Sequence, residues 1–469
     1  MEATVAKHRE HTLIGKVYVW SIIFEPLLFF LLASNSSTGI TPNPGRILQF
    51  LVWAGLLTSW TVSRDRLRVP NPTAPMYANY SMYFLLTVIA GGIGIAMGSF
   101  DLHDRYSAEN ASSAIAAFIR SPAVRPLFEY FITIYYFVYF VILPRYLLNS
   151  DAAIRYFFRN FTLVFVIGLI LGTLDLAAAG VGMGFIPRHL ADGVMVGFRF
   201  HGLAGEPRDA FVYLMFGLAM MTLREYWARG RSLGQLWTIC ILFAVLMTQS
   251  ASGLFGLLFA GILIIAFSIR TLSPRTLALA GVLVILLIAA VIGGVYFSPR
   301  IQTYLKAFNV LFDRLNRGGP PPAVMIGQMS NIYPMWDLWQ KLREGNFIQL
   351  LLGSGLGSSS VTTNNLGGFR ELANPHTQIV RVLYESGVIG LYFFVMSFAA
   401  PVRKLTEHLT PDVRRRFLFL ILMLVGVFLS HRSSVPFIYL GVFIVVMQRK
   451  NAQIMEQRVT VPNGAVSVA

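Results

Sequence analysis

Charge is scarce in this chain. Only 13% of its 469 residues are Asp, Glu, Lys or Arg, against about 25% in a soluble globular protein, so an ordinary water-solvated domain is excluded. Acidic residues are the scarcer kind, 22 against 38 basic ones, and the formal net charge is +16. Cysteine is almost absent. Cys240 stands alone in an apolar run, which excludes an intramolecular disulfide and argues against a cysteine-based metal site. No His spacing supports a metal site either. The first apolar run begins near Val17, is long, and has no small-residue cleavage site, so it reads as a first span and not as a cleaved leader.

What is present in abundance is hydrophobic sequence, 55% of residues. Repeated apolar runs near 20 residues imply an all-α polytopic membrane protein. Twelve spans are expected, at about 17–34, 47–62, 81–98, 127–148, 161–179, 210–223, 233–249, 251–269, 276–297, 377–400, 415–430 and 434–448. Connections alternate in charge. One set carries Lys7, Arg9 and Lys16, then Arg64, Arg66 and Arg68, then Arg145, Arg155 and Arg159, then Arg224, Arg229 and Arg231. It continues through Arg270 and Arg275, Arg403 and Lys404, Arg414 to Arg416, and Arg449, Lys450 and Arg458. The short connections of the other set hold Arg46 alone, nothing in Gln249–Ser252, and Arg432 alone. Basic loops stay inside, so both termini are expected in the cytoplasm. The same rule accounts for much of a net charge that would suggest nucleic acid in a soluble protein, and no nucleic-acid partner is expected.

The expected organisation is a membrane domain over 1–297 with nine spans, a large outer loop over 298–376, a second membrane portion over 377–448, and a cytoplasmic tail over 449–469. Two more outer segments, about 99–126 and 180–209, are long. Loops of this size usually carry function. The large one contains Gly318-Gly-Pro-Pro-Pro322 and an amphipathic run over Val324–Leu351 with Tyr333, Trp336 and Trp339, expected to lie along the membrane interface.

Three motifs could carry chemistry. Gly197-Phe-Arg-Phe-His-Gly-Leu-Ala-Gly-Glu-Pro-Arg-Asp-Ala-Phe211 sets Arg199, His201, Glu206, Arg208 and Asp209 close together before span six. A helix N-terminus with two arginines suits an anion, because backbone N–H groups and guanidinium both bind phosphate oxygens. The bland alternative is Arg–Glu pairing within a loop, or contact with lipid headgroups. Leu351-Leu-Gly-Ser-Gly-Leu-Gly-Ser358 lacks the Lys-Ser/Thr ending of a P-loop and reads as a flexible or closely packed turn. Asn374-Pro-His-Thr-Gln-Ile-Val-Arg-Val-Leu-Tyr-Glu-Ser-Gly-Val-Ile-Gly390 puts His376, Arg381 and Glu385 at the mouth of an apolar helix. Ionisable groups at such a boundary are costly and usually functional. His376 could take a proton from a hydroxyl or merely cap the helix. Arg381 and Glu385, spaced i,i+4, could pair on one helix face. His103, His189 and His431 are expected on the same side, without comparable company.

These three motifs, in this order, resemble the O-antigen ligase and O-antigen polymerase superfamily. Arg199 to Pro207 looks like its Arg-x-x-Gly…Pro element, Leu352 to Gly357 like its late glycine turn, and Pro375 to Gly390 like its His-Asn-x-x-Leu…Glu-x-Gly-x-x-Gly element. The resemblance covers about 180–400. Thr377 departs from the usual Asn, and Gln249-Ser-Ala-Ser-Gly253 lacks the Arg of a Ser-Arg-x-Gly element. Arg208 stands near a usual Pro-Asn position, so its role rests on its chemistry.

The resemblance implies a GT-C-like, inverting and metal-independent glycosyltransferase without a cofactor, in the inner membrane of a bacterium, with its active site facing the periplasm. The donor would be a glycan on undecaprenyl pyrophosphate. Arg199, Arg208 and Arg381 would bind the pyrophosphate, Arg199 also acting in catalysis, and His376 would be the general base. Glu206, Glu385 and His201 would support them. The acceptor would be a second lipid-linked glycan in a polymerase, the reading favoured by Gly205-Glu-Pro207, or lipid A–core in a ligase. Membrane lipids and a partner that sets chain length would be its company. A transporter of lipid-linked glycans is the alternative of another class; it should instead place its site near the bilayer midplane at broken helices.

Overall fold

The computed structural model describes residues 13–27, 44–63, 74–98, 124–186, 199–204, 207–268, 332–367 and 377–460, with single positions scattered between them. Every regular element among these residues is a helix. They are α1 (Leu13–Phe24), α2 (Pro44–Ser63), α3 (Ala74–Ala96), α4 (Val124–Phe137), α5 (Pro144–Leu147), α6 (Asp151–Gly180), α7 (Pro207–Arg229), α8 (Gln235–Met247), α9 (Ala251–Ser268), α10 (Ile332–Arg343), α11 (Ile348–Leu352), α12 (Ser358–Gly367), α13 (Gln378–Leu405), α14 (Pro411–Ser430) and α15 (Val435–Thr460).

Among the described residues, four stretches are long and apolar enough to cross a membrane: Met76–Ala96, Val124–Leu147, Asp151–Gly180 and Gln378–Leu405. Their 21 to 30 residues rise about 1.5 Å each, enough for a hydrocarbon core of about 30 Å. These are the lengths and compositions of a helical membrane protein. They fall on the expected spans at 81–98, 127–148, 161–179 and 377–400. The third begins earlier than its apolar run, because the Ser150 hydroxyl accepts from the Ala153 N–H at 3.1 Å and caps a helix that opens with Asp151. The expected span at 276–297, and most of the loop before Ile332, lie outside the described residues.

The helices run between two ends. At one end, Arg449 Nε is 2.8 Å from Asp151 Oδ1, the Asn451 amide donates to the Leu405 carbonyl, and Lys450 stands over the Trp227 ring. Many of the basic connections therefore meet there. At the other end lie the starts of α4, α7, α13 and α15 and the end of α14. Between the ends is an aromatic and aliphatic core in which Phe216, Phe398, Tyr439 and Phe443 are buried. Close approach of α9 and α14 needs small residues, since a side chain on Gly426 would strike the Ala260 backbone.

Two helices are broken, each for an identifiable reason. After α4 the chain makes a π-turn, Val138–Ile142. Pro144 has no N–H to offer Phe140, and the Leu143 N–H reaches back to Val138 at 2.9 Å. That shift leaves the Tyr139 carbonyl without a helical donor, and the Tyr18 hydroxyl donates to it at 3.0 Å. The second break is in α13, where Gly387 has φ 63° and ψ −172°. Here the Tyr384 and Glu385 carbonyls accept from Ser354 N–H at 2.9 Å and Gly355 N–H at 2.8 Å. The glycine turn Leu351–Ser358 is thus a packed turn that completes a broken helix.

Candidate functional site

The break in α13 sits beside an ionic network buried among apolar helices. Glu129, one turn into α4, is 1% exposed. Its carboxylate lies 2.5 Å from Arg125 Nη2, 2.6 Å from Arg381 Nη2 and 2.9 Å from Arg432 Nη1. Arg381 Nε also donates to Glu385 Oε1 at 3.0 Å, and the same oxygen accepts from the Ser359 hydroxyl at 2.6 Å. Three distant parts of the chain are joined: the start of α4, the first turns of α13, and the connection between α14 and α15. α12 supplies Ser359.

Local sequence explains each position. Arg125 and Glu129, like Arg381 and Glu385, are one helical turn apart and so share a face. Ser359 is brought in because the glycine turn folds back over α13. A side chain on Gly353 would strike the Glu385 backbone, and one on Gly355 the backbone of Gly91 in α3. The Leu356 N–H donates to the Tyr130 hydroxyl at 3.4 Å, which itself donates to the Thr87 carbonyl.

A small cleft of about 30 Å³, open on one side, lies against this network. Glu129, Gln378, Arg381, Glu385 and Arg432 line its polar side, and Tyr83, Tyr136, Phe394, Phe428 and Phe437 its apolar side. Arg381 and Arg432 differ within it. The Arg381 side chain is 4% exposed and bound by two carboxylates, whereas that of Arg432 is 28% exposed and its guanidinium stands 5.9 Å over the Tyr136 ring. A buried ion-pair network is a poor source of net stability, because desolvation offsets most of the attraction. Its location inside apolar helices argues for function.

The connection His431–Ser434 ties this network to two others. His431 Nε2 is 3.0 Å from Asp209 Oδ1 in the first turn of α7. Ser434 donates to Glu25 Oε1 at 3.2 Å, and Glu25 Oε2 accepts from the Gln49 amide at 2.7 Å.

Of the residues singled out in sequence, Arg381 and Glu385 pair directly and line the cleft. Arg199, His201 and Arg208 do not line it. Arg199 is partly buried in a short irregular piece, anchored where the Phe200 N–H donates to the Met247 carbonyl at 2.8 Å. This piece runs beside Gln249, which has φ 47°. His201 is buried. Arg208 is exposed on the first turn of α7, 3.8 Å from Asp209. His376 and Glu206, like His103 and His189, lie outside the described residues.

His431, expected to lack company, has it in Asp209. Glu129 and Arg125 were not singled out in sequence, and Arg432 only as the lone basic residue of its connection. The signal was present: a lone acid inside one apolar run and a lone Arg in a connection otherwise poor in charge, each costly without the other. The expected interfacial helix is described from Ile332 on. It packs on α12 and α13 with Tyr333 buried and Trp339 half exposed. Lys341 and the Tyr384 hydroxyl both donate to its Asp337, each at 2.7 Å.

No protein-family model matches the chain, and no curated protein matches it.

Proposed function

We propose that the chain is a membrane glycosyltransferase that polymerises undecaprenyl-pyrophosphate-linked oligosaccharide repeat units at the periplasmic face of a bacterial inner membrane. The product would be O-antigen or a related surface polysaccharide. The observation that carries this reading is the arginine-lined cleft at one end of an apolar helix bundle, beside the motif that holds His376. In the proposed architecture twelve spans leave both termini in the cytoplasm, and the loop over 298–376 belongs to the outer side. The end of the bundle that holds the cleft is then the outer one.

In the proposed reaction an acceptor hydroxyl attacks the anomeric carbon of the donor. The C–O bond to the lipid pyrophosphate breaks, the electron pair leaves with the phosphate, and His376 takes the hydroxyl proton. Charge growing on the leaving group would be met by guanidinium groups, the role proposed for Arg199 and Arg208, which would have to reach a donor from outside the cleft lining. Arg381, already held between Glu129 and Glu385, keeps the cleft in shape. One displacement inverts the anomeric centre.

A transporter of lipid-linked glycans is the second reading. The break at Gly387, inside a segment long enough to cross the membrane, favours it, since transporters bind at discontinuous helices.

The test is reconstitution of the purified protein with short lipid-linked repeat units, wild type beside His376→Ala and Arg199→Ala. A ladder of longer lipid-linked glycans that both folded variants lose is the expected result. Product only when lipid A–core is added would make the protein a ligase. Product unaffected by His376→Ala would remove the assigned base. No product with either acceptor, together with movement of the lipid-linked unit across the bilayer, would establish the transporter.

A further inference from the structure

We propose that Arg432 is the group of the cleft that contacts an anion, taking a phosphate oxygen of a pyrophosphate-bearing ligand. The source named here, a lipid-linked pyrophosphate, rests on the function proposed above; the contact itself rests on the geometry. Guanidinium carries five N–H donors in a fixed fork. Arg381 commits donors on two edges, Nη2 toward Glu129 and Nε toward Glu385, and is enclosed. Arg432 commits only Nη1, toward Glu129 at 2.9 Å. Among the described residues its other donors meet no protein acceptor, although the side chain lines the cleft and is 28% exposed.

Its surroundings hold it in a fixed place without neutralising it. Glu129 is shared with Arg381 and Arg125, so one carboxylate serves several guanidinium groups. The Arg432 guanidinium carbon stands 5.9 Å from the Tyr136 ring centroid, a cation–π contact that consumes none of its N–H donors. The neighbouring His431 is bound to Asp209, and Ser434 to Glu25, so the short connection that carries Arg432 is tied down on both sides. A preorganised, half-sheltered guanidinium with unused edge donors fits phosphate oxygens in bidentate geometry. Lysine, a point charge, would reproduce the charge but not the fork.

The experiment is calorimetric titration of inorganic pyrophosphate into the full-length protein in nanodiscs of zwitterionic phospholipid, wild type beside Arg432→Gln and Arg432→Lys. Loss of the charge-assisted contacts should weaken binding about tenfold or more in Arg432→Gln, with Arg432→Lys intermediate. Should Arg432→Gln fail to fold, Arg432→Lys decides, because it keeps a cation beside Glu129. Equal binding by wild type and folded variant would overturn the proposal, as would no binding by wild type. Repeating the titration in anionic phospholipid separates the sources. Pyrophosphate binding that survives there supports a dedicated pyrophosphate ligand, and binding abolished there makes the ligand a lipid headgroup and overturns the lipid-linked source. A protein that binds pyrophosphate through Arg432 but never extends a glycan would retain this contact and lose the glycosyltransferase reading.

Discussion

At the residue scale, Glu129 is the hub. It is buried, it belongs to a helix of the membrane-crossing class, and it faces three arginines from two other parts of the chain and its own first turn. Removing one partner of such a network leaves the others buried and uncompensated. Glu129→Gln is therefore expected to destabilise the protein by about 3–5 kcal/mol, read as a loss of monodisperse protein in detergent and a lower thermal midpoint. The pair Arg229–Glu225, whose arginine side chain is 68% exposed, provides the contrast. Arg229→Gln should change stability by no more than about 1 kcal/mol, since exposed pairs contribute little. The two outcomes together separate an effect of burial from an effect of charge as such. If Glu129→Gln were as mild as Arg229→Gln, the network would be solvated and the cleft would lose its claim to a fixed shape.

At the scale of elements, the decisive feature is how the glycine turn and α13 complete each other. Neither is stable as drawn without its partner. The break at Gly387 frees the Tyr384 and Glu385 carbonyls, and the turn supplies N–H groups from Ser354 and Gly355. Gly355 has φ 91° and packs against the backbone of Gly91. Backbone contacts cannot swing aside as a flexible side chain can. Gly355→Ala should cost about 2–4 kcal/mol from the left-handed conformation and the overlap combined, measured by thermal unfolding. It should also loosen Ser359 from Glu385, which increased proteolysis near 353–358 would report. A substitution nearby without these constraints is the control. Val388→Ala, on an exposed position of the same helix, should leave both readings close to wild type.

At the scale of the whole molecule, the basic ends of many helices gather at one end of the bundle and the cleft lies at the other. If the positive-inside rule holds here, that basic end is the cytoplasmic one. Reporter fusions should find the N- and C-termini in the cytoplasm, and a reporter placed within 298–331 on the opposite side. A periplasmic reading at either terminus would reverse the assignment of the cleft to the outer face. The lone Cys240, exposed on α8, offers a second check. α8 is an apolar helix, so a membrane-soluble thiol reagent should label Cys240 and a charged, impermeant one should not.

Much of this is legible in the amino-acid sequence itself. Helical class and the approximate positions of the four described helices long and apolar enough to cross a membrane follow from the length and composition of apolar runs, which depend only on neighbours in sequence. The Arg381–Glu385 pair was equally visible, because i,i+4 spacing on a helix is a local fact. What needed the tertiary structure was every link between segments far apart: Glu129 with Arg381 and Arg432, His431 with Asp209, Ser359 with Glu385. A lone acid and a lone arginine in sequence announce that each requires a partner, but not which one. The choice is made by packing, because a charge buried among apolar helices is costly unless folding brings it a partner or hydrogen-bond donors. For the same reason only the folded chain shows Arg381 held between two carboxylates, and Arg432, in sequence just the lone basic residue of its connection, bound to Glu129 with one edge.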